Sequence, residues 1–467
     1  MIENILYTLS QTSLLGGIVV IFLNALISKN HQRSSFHIAS TAVLISILFS
    51  AVFYNKGVLP AYFSFSAYTT FSFVISSLLT LAWLSLSAKW FVCTQSGKSA
   101  SFCILALLLL FSLSIIIKST HLGALFIGLS CLAFFQYFLF RFSKESENLY
   151  HNGKHYAIIV SLFLLMLGGA VFVLGKDNLS YKAISGAIAL HLPLFQMLIT
   201  LAILCPLFFF MGVAPFHFWL VDTATHHHLP VATYFGLIPL PAMWSVFFKL
   251  HTNFFSLQYE HLSSLYFAFG LLSIILGVIG ANASRFLRKI FASVTLYQTG
   301  VILLILSILK TQLPEVCFVY LELYFFVLLG IYICFYGFKI NNEYPNNLNM
   351  LKGVKSARPY ISAAFVLLVF VLSGLPPMAY FIAQFFMLAE IVKFPMIVYI
   401  VLFGLLALLP VYLKIIQTVS FLPREKSFDR VDFGIYVYVL LHLSILMLLM
   451  FKPQILMLQR TIFSDMG

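Results

Sequence analysis

Stretches of about 20 apolar residues, separated by short polar segments, recur along the whole chain, and each is long enough to cross the roughly 30 Å hydrocarbon layer of a membrane as a helix. A backbone in hydrocarbon has to satisfy its own N–H and C=O groups, which restricts such a chain to helices throughout. With 61% hydrophobic and 9% charged residues, it also lacks the polar surface of soluble domains, where about a quarter of residues are charged. The sequence therefore predicts an all-α, multi-pass integral membrane protein. Cutting it at polar, proline or glycine punctuation gives about fourteen transmembrane helices, centred roughly on residues 20, 45, 80, 110, 131, 165, 203, 240, 273, 299, 326, 370, 404 and 442.

Short cytoplasmic loops retain Lys and Arg. Loops after odd-numbered spans hold eighteen of the 27: Lys29 and Arg33, Lys89 and Lys98, Arg141, Lys144 and Lys154, Arg285, Arg288 and Lys289, Lys339, Lys352, Lys355 and Arg358, then Lys414, Arg424, Lys426 and Arg430. This bias predicts that both termini face outward. It also accounts for the net charge of +13 as a topology signal and an attraction to anionic lipid, so nucleic-acid binding is not expected. The first twelve residues contain Glu3 and no Lys or Arg, unlike a secretory leader, so the first apolar stretch is expected to stay in the mature protein. Cys93, Cys103, Cys131, Cys205, Cys317 and Cys334 lack metal-site spacing and read as core residues, with no metal site expected. No GxGxxG or P-loop pattern and no long loop is present to hold a nucleotide, flavin or iron–sulfur cluster.

Proline falls inside two of the spans: Pro206, Gly212 and Pro215 in the seventh, and Gly374, Pro376 and Pro377 in the twelfth. Helix breaks are expected there. Breaks five spans apart suggest two inverted five-helix repeats, each with a polar route. The expected division is residues 1–100 as N-terminal helices, 101–252 and 261–418 as the two repeats, and 419–467 as a C-terminal helix and tail.

The segment PFHFWLVD at Pro215–Asp222, followed by Leu229-Pro230-Val231-Ala232-Thr233, resembles the PFHxWxPD…PxPVS pattern of the antiporter-like membrane subunits of NADH:quinone oxidoreductase, respiratory complex I. Thr120–Gly128, the run from Arg288-Lys289 to Gly300, and Ser373-Gly374-Leu375-Pro376-Pro377 through Phe385 resemble further motifs of that family in the same order. The likeness covers roughly residues 100–400, and subunit N is nearest in pattern. It implies proton transport by a subunit whose NADH, flavin, iron–sulfur clusters and quinone belong to partner subunits, with other membrane subunits and the lipid bilayer around it.

The same alignment shows departures. The family's buried glutamate falls on Ser130, its lysines on Phe210, Leu240 and Gln384, and its tenth-span histidine on Gln298. A charged axis of the family kind is absent, which suggests a route that is lost or works differently. Candidate proton-route groups are therefore Glu322, Gln384, Ser130, Gln298, His217, Asp222, Lys249 and Glu390. Glu322 lies deep in an apolar run and is either a relay group or a residue reaching headgroup water. Glu390 has Lys393 at i+3, a spacing for an ion pair at a helix end. His217 and Asp222 read as a structural junction or a proton-exchange point. Lys249, Lys154 and His155 suit either the route or snorkelling to the interface. His226-His227-His228 reads as a solvated loop, because consecutive residues of a helix cannot all face one metal ion. Alternative functions are a scaffold that keeps the fold without transport, a cation/proton antiporter component, or an energising subunit for inorganic-carbon uptake.

Overall fold

The computed structural model describes residues 2–27, 31–52, 62–94, 98–143, 147–175, 179–189, 191–308, 314–341, 343–376, 378–423 and 427–451. The helices in chain order are α1 (Ile2–Ile27), α2 (His31–Val52), α3 (Ala67–Thr94), α4 (Ser99–Lys118), α5 (Leu122–Phe140), α6 (Glu147–Leu174), α7 (Ile184–Ala189), α8 (Pro193–Phe210), α9 (Phe218–His226), α10 (Leu229–Leu237) and α11 (Pro239–Asn253). They continue with α12 (Tyr259–Ala283), α13 (Leu287–Leu306), α14 (Pro314–Gly337), α15 (Val354–Ala357), α16 (Pro359–Leu372), α17 (Ala379–Glu390), α18 (Pro395–Ser420) and α19 (Phe433–Phe451). Among the described residues, β pairing is confined to isolated bridges.

Thirteen of these helical stretches, with α10 and α11 counted as one, are long and apolar enough to cross a membrane. The remaining expected crossing, the twelfth, is split into α16 and α17. The expected all-α architecture of about fourteen spans with interrupted helices is what the chain forms.

The breaks have local causes. The twelfth span stops at Leu372 and resumes at Ala379, and Gly374 in the gap has φ 68°, a left-handed conformation that a side chain disfavours. Pro376 lies in this gap, while Pro377 is outside the described residues. The seventh span stops at Phe210 and resumes at Phe218, with Gly212 at φ 67° and Pro215 between. Pro206 is a correction: it sits inside α8, which runs on to Phe210. Pro410 is likewise inside α18. Neighbouring helices and local adjustment let membrane helices carry a proline without ending. A further interruption, not expected from the sequence, comes at Ile238, where α10 gives way to α11 opening on Pro239.

The chain divides into two compact units, one holding α1–α8, α10 and α11, the other holding α9 through Thr225 and α12–α19. In the first, α3, α4 and α11 pack together, with the Tyr68 hydroxyl donating to Ser245 O (2.7 Å) and Trp83 Nε1 to Pro230 O (2.7 Å). In the second, α12 and α13 meet backbone to backbone: a Cβ on Gly277 would lie 2.7 Å from Tyr297 N, and one on Gly300 2.7 Å from Gly270 O. Only glycine allows that approach.

Candidate functional site

The first unit holds a buried lysine centre. Where α4 ends at Lys118 the chain becomes extended and bridges two neighbouring segments, Phe63 pairing with Ser119 and His121 with Ser180. Ser64 N donates to Lys118 O (2.8 Å), Thr120 N to Tyr62 O (2.9 Å) and Tyr181 N to Thr120 O (3.0 Å). This small patch brings Ser64, Ser119 and Tyr181 beside the end of α11. There the Lys249 Nζ donates to Ser64 Oγ (2.7 Å) and Ser119 O (2.5 Å), with the Tyr181 ring 5.8 Å away. Ser119 and Tyr181 share a hydrogen bond of 2.6 Å between their hydroxyls, and burial pushes the Tyr181 phenol above its ordinary range.

Lys118 itself turns into the unit. It is 1% exposed, its Nζ donates to Ser10 Oγ on α1 (2.8 Å), and the rings of Phe65 and Phe73 face it at 4.9 and 4.5 Å. Lys249 is 7% exposed. Neither amine has a carboxylate partner among the described residues, so both are held by neutral oxygens and aromatic faces. Next to them His121 caps α5, accepting from Gly123 N (3.2 Å), and burial lowers its imidazole below the usual 6.5.

The second unit holds a polar chain without charge. The Tyr380 hydroxyl of α17 donates to Tyr320 of α14 (2.7 Å), their rings stacked 5.1 Å apart, and Tyr320 in turn donates to Gln298 Oε1 of α13. One turn beyond Tyr380, Gln384 is 3% exposed, with Oε1 and Nε2 both buried and without a hydrogen-bond partner. Its amide lies against the break: a Cβ on Gly374 would collide with Gln384 Oε1. Thr295 and Tyr324 form a parallel link of 2.7 Å. The first unit repeats the motif, because Tyr156 of α6 donates to Gln136 Oε1 of α5. Each five-span run thus carries a tyrosine-to-glutamine bond from its third span to its second.

The other expected groups are dispersed. Ser130 bonds the carbonyl of Phe126 on its own helix (2.7 Å), and Phe210 and Leu240 are buried apolar residues. Glu322 lies on α14, its Oε2 buried and without a hydrogen-bond partner. Glu390 is exposed at the end of α17, and no ion pair joins it to Lys393. The reading of that spacing as an ion pair is corrected by this, since an exposed pair gains little over water. His217 is half-buried in the seventh-span break and Asp222 is exposed on α9.

The histidine tract is not uniformly solvated, which corrects its expected character: His226 is exposed, but His227 is 1% exposed with its ring 5.0 Å from Phe140, and His228 lies 5.3 Å from Trp90. Among the described residues no cluster of three metal-ligating side chains occurs.

Two groups escaped the sequence reading. Lys118 was hidden because a lone lysine ending an apolar run looks like an interfacial anchor, and Gln136 because a neutral amide in a phenylalanine-rich helix carries no signal. A lysine at the close of one of the most apolar stretches, before a Ser-Thr-His turn, was the available sign for the first.

A family model described as "NADH:quinone oxidoreductase/Mrp antiporter, TM" matches residues 119–409. Among curated relatives, NADH-quinone oxidoreductase subunit N of Pelagibacter ubique is 25% identical over 354 residues, 74% of each chain. Subunit N of Methylobacterium nodulans is 22% identical over 391 residues, covering 82% of this chain and 81% of the relative. Among solved structures, respiratory complex I from Thermus thermophilus has a chain of the same fold with a TM-score of 0.79 at 17% identity, covering 95% of this chain and 97% of that one. A chain of the archaeal membrane-bound sulfane sulfur reductase reaches a TM-score of 0.85 at 14% identity, covering 98% and 97%.

Proposed function

The chain belongs to the NADH:quinone oxidoreductase/Mrp antiporter membrane family, and from that premise we propose that it is an antiporter-like, proton-translocating membrane-arm subunit of an NADH:quinone oxidoreductase type complex, most like subunit N. Residues 101–252 and 261–418 are its two antiporter-like repeats, and NADH, flavin, iron–sulfur clusters and quinone belong to partner subunits. Both termini face outward, as the basic-residue bias suggests. An impermeant thiol reagent applied to single cysteines placed at Lys98 and Arg358 tests that orientation, and labelling in intact cells overturns it.

The observation that carries this reading is the pair of buried amines, Lys118 and Lys249, each held by neutral oxygens. Amines buried without a carboxylate partner are expensive to hold, and in membrane chains such groups mark functional sites. Ser10 Oγ, Ser64 Oγ and Ser119 O accept hydrogen bonds from an amine in either protonation state, so each lysine can take up and release a proton without losing its seat. Proton binding in this unit therefore rests on the lysine centre, although the family's glutamate and seventh- and eighth-span lysines are replaced. In the second unit the run from Tyr380 through Tyr320 ends on an amide oxygen. An amide carbonyl accepts a hydrogen bond but does not hand a proton onward, so this unit carries orientation and polarity rather than a titrating axis.

Purification in mild detergent tests the reading. Co-migration with flavin- and iron–sulfur-bearing chains, together with NADH-driven proton uptake by proteoliposomes, is the expected result. Co-migration with antiporter-type membrane chains alone, and no NADH oxidation, overturns it in favour of a cation/proton antiporter component.

A further inference from the structure

Along the first half of α14, Glu315, Val319, Glu322 and Phe326 follow one another at helical spacing and are all partly accessible, whereas Cys317, Phe318, Tyr320, Leu321, Leu323, Tyr324 and Phe325 are buried. One stripe of the helix is therefore partly open to the outside of the chain. Glu322 sits eight residues past the helix start at Pro314, about 12 Å along the axis at 1.5 Å per residue, which is well inside a hydrocarbon layer of about 30 Å. Its Oε2 is buried and has no hydrogen-bond partner. One turn further, His442 of α19 stacks on Phe326 with ring centroids 4.2 Å apart, is 3% exposed, and leaves its own Nε2 without a partner.

Among the described residues no hydrogen bond or ion pair reaches the carboxylate. Helices α16, α17 and α19 pack against α14 and carry no lysine or arginine, and Arg288 at the start of α13 is engaged with Asn346 Oδ1 (3.2 Å). A carboxylate open to hydrocarbon is among the costliest arrangements a membrane chain can hold, and such groups pair with cations. The partial opening of the stripe at the level of Glu322 gives such a cation a way in from outside the chain.

We propose that Glu322 is an intersubunit anchor: a transmembrane helix of a neighbouring membrane subunit lies along the α14 stripe and places a lysine or arginine against the Glu322 carboxylate. This rests on the complex-subunit reading above, since it requires a membrane neighbour. The helix occupies the groove over Val319 and Phe326, the cation fills the carboxylate, and the interface buries both. The contact specifies register, because an apolar helix displaced along the stripe would leave the acid unpaired.

The test uses the full complex in native membranes. p-Benzoylphenylalanine in place of Val319 is expected to crosslink on illumination to one membrane subunit, within a peptide whose span contains a lysine or arginine. Glu322→Lys is expected to lower recovery of that subunit about a hundredfold, as the loss of a buried charge's partner implies, while the chain stays in the membrane. Glu322→Gln, which keeps the shape and an accepting oxygen, is expected to lower it less. Crosslinks to lipid alone, or full recovery of the neighbour with Glu322→Lys, overturn the proposal. A crosslink from position 319 to another membrane chain in a preparation without redox subunits supports this contact and overturns the complex I reading instead.

Discussion

Replacing Lys249 with methionine separates a proton-binding lysine from a structural one. Methionine keeps most of the apolar stem and roughly its volume, so the change leaves little cavity. It removes two hydrogen bonds from an amine, to Ser64 Oγ at 2.7 Å and Ser119 O at 2.5 Å. Bonds to a charged group contribute about 1.5–3 kcal/mol each. Against that loss of about 3–6 kcal/mol stands the several kcal/mol spent on holding an unpaired ammonium out of water, which disappears with the charge. The two nearly cancel, leaving a net cost of about 0–2 kcal/mol, chiefly from the stranded Ser119 carbonyl. The assembled complex is therefore expected to unfold within a few degrees of the wild-type temperature. Its proton uptake per NADH oxidised in proteoliposomes is expected to fall, while NADH oxidation persists. An unchanged ratio in a fully assembled complex refutes the assignment of a proton to Lys249. A large loss of stability refutes the energy balance instead and makes the lysine a structural strut.

Tyr320→Phe is expected to destabilise more than Tyr380→Phe. The first strands the Gln298 carbonyl at a cost of about 1–3 kcal/mol, and the second removes only the outermost donor; thermal unfolding in detergent checks the order, and the reverse order disproves the chain direction. Gly374→Ala is expected to cost about 1–2 kcal/mol from the left-handed backbone alone, with a further loss as Gln384 is displaced, and wild-type stability of this variant would remove the argument for the break. Gln384→Lys tests whether water reaches the two buried, unpartnered amide atoms, since a buried lysine is tolerated only where water or a carboxylate can meet it: normal assembly on a native gel is the expected result, and loss of the chain from the membrane would show a dry site.

Hydrophobic run length alone made the spans legible, and so did the place of both breaks, because glycine beside proline is a strong helix stop. What failed was context. Pro206 and Pro410 look as disruptive as Pro215, yet in the structure their helices continue, whereas the interruption at Ile238 depends on Pro239 and Pro241 within a fully buried helix pair. His227 read as solvated since three adjacent histidines suggest a loop, and its burial against the Phe140 ring shows only in the fold. Lys118 was invisible as a site because its acceptor, Ser10, lies more than a hundred residues earlier. The expected replacement of the family's charges by Ser130, Phe210, Leu240 and Gln384 rests on the sequence resemblance alone, whereas the Tyr320–Tyr380 link beside Gln384 joins residues sixty apart and needed coordinates.

Where backbone touches backbone between α12 and α13, at Gly277 and Gly300, neither helix can slide or roll without a collision on one side and a void on the other. Interiors this dense transmit displacement rather than absorb it. A push delivered to α12 from outside arrives at Tyr297 and Gln298 undamped, as if through a single rod. The twelfth span, by contrast, has no helical ladder at residues 373–376, and the Gln384 amide lies against that interruption. A rigid helix pair and a joint where a span can bend therefore sit within one unit.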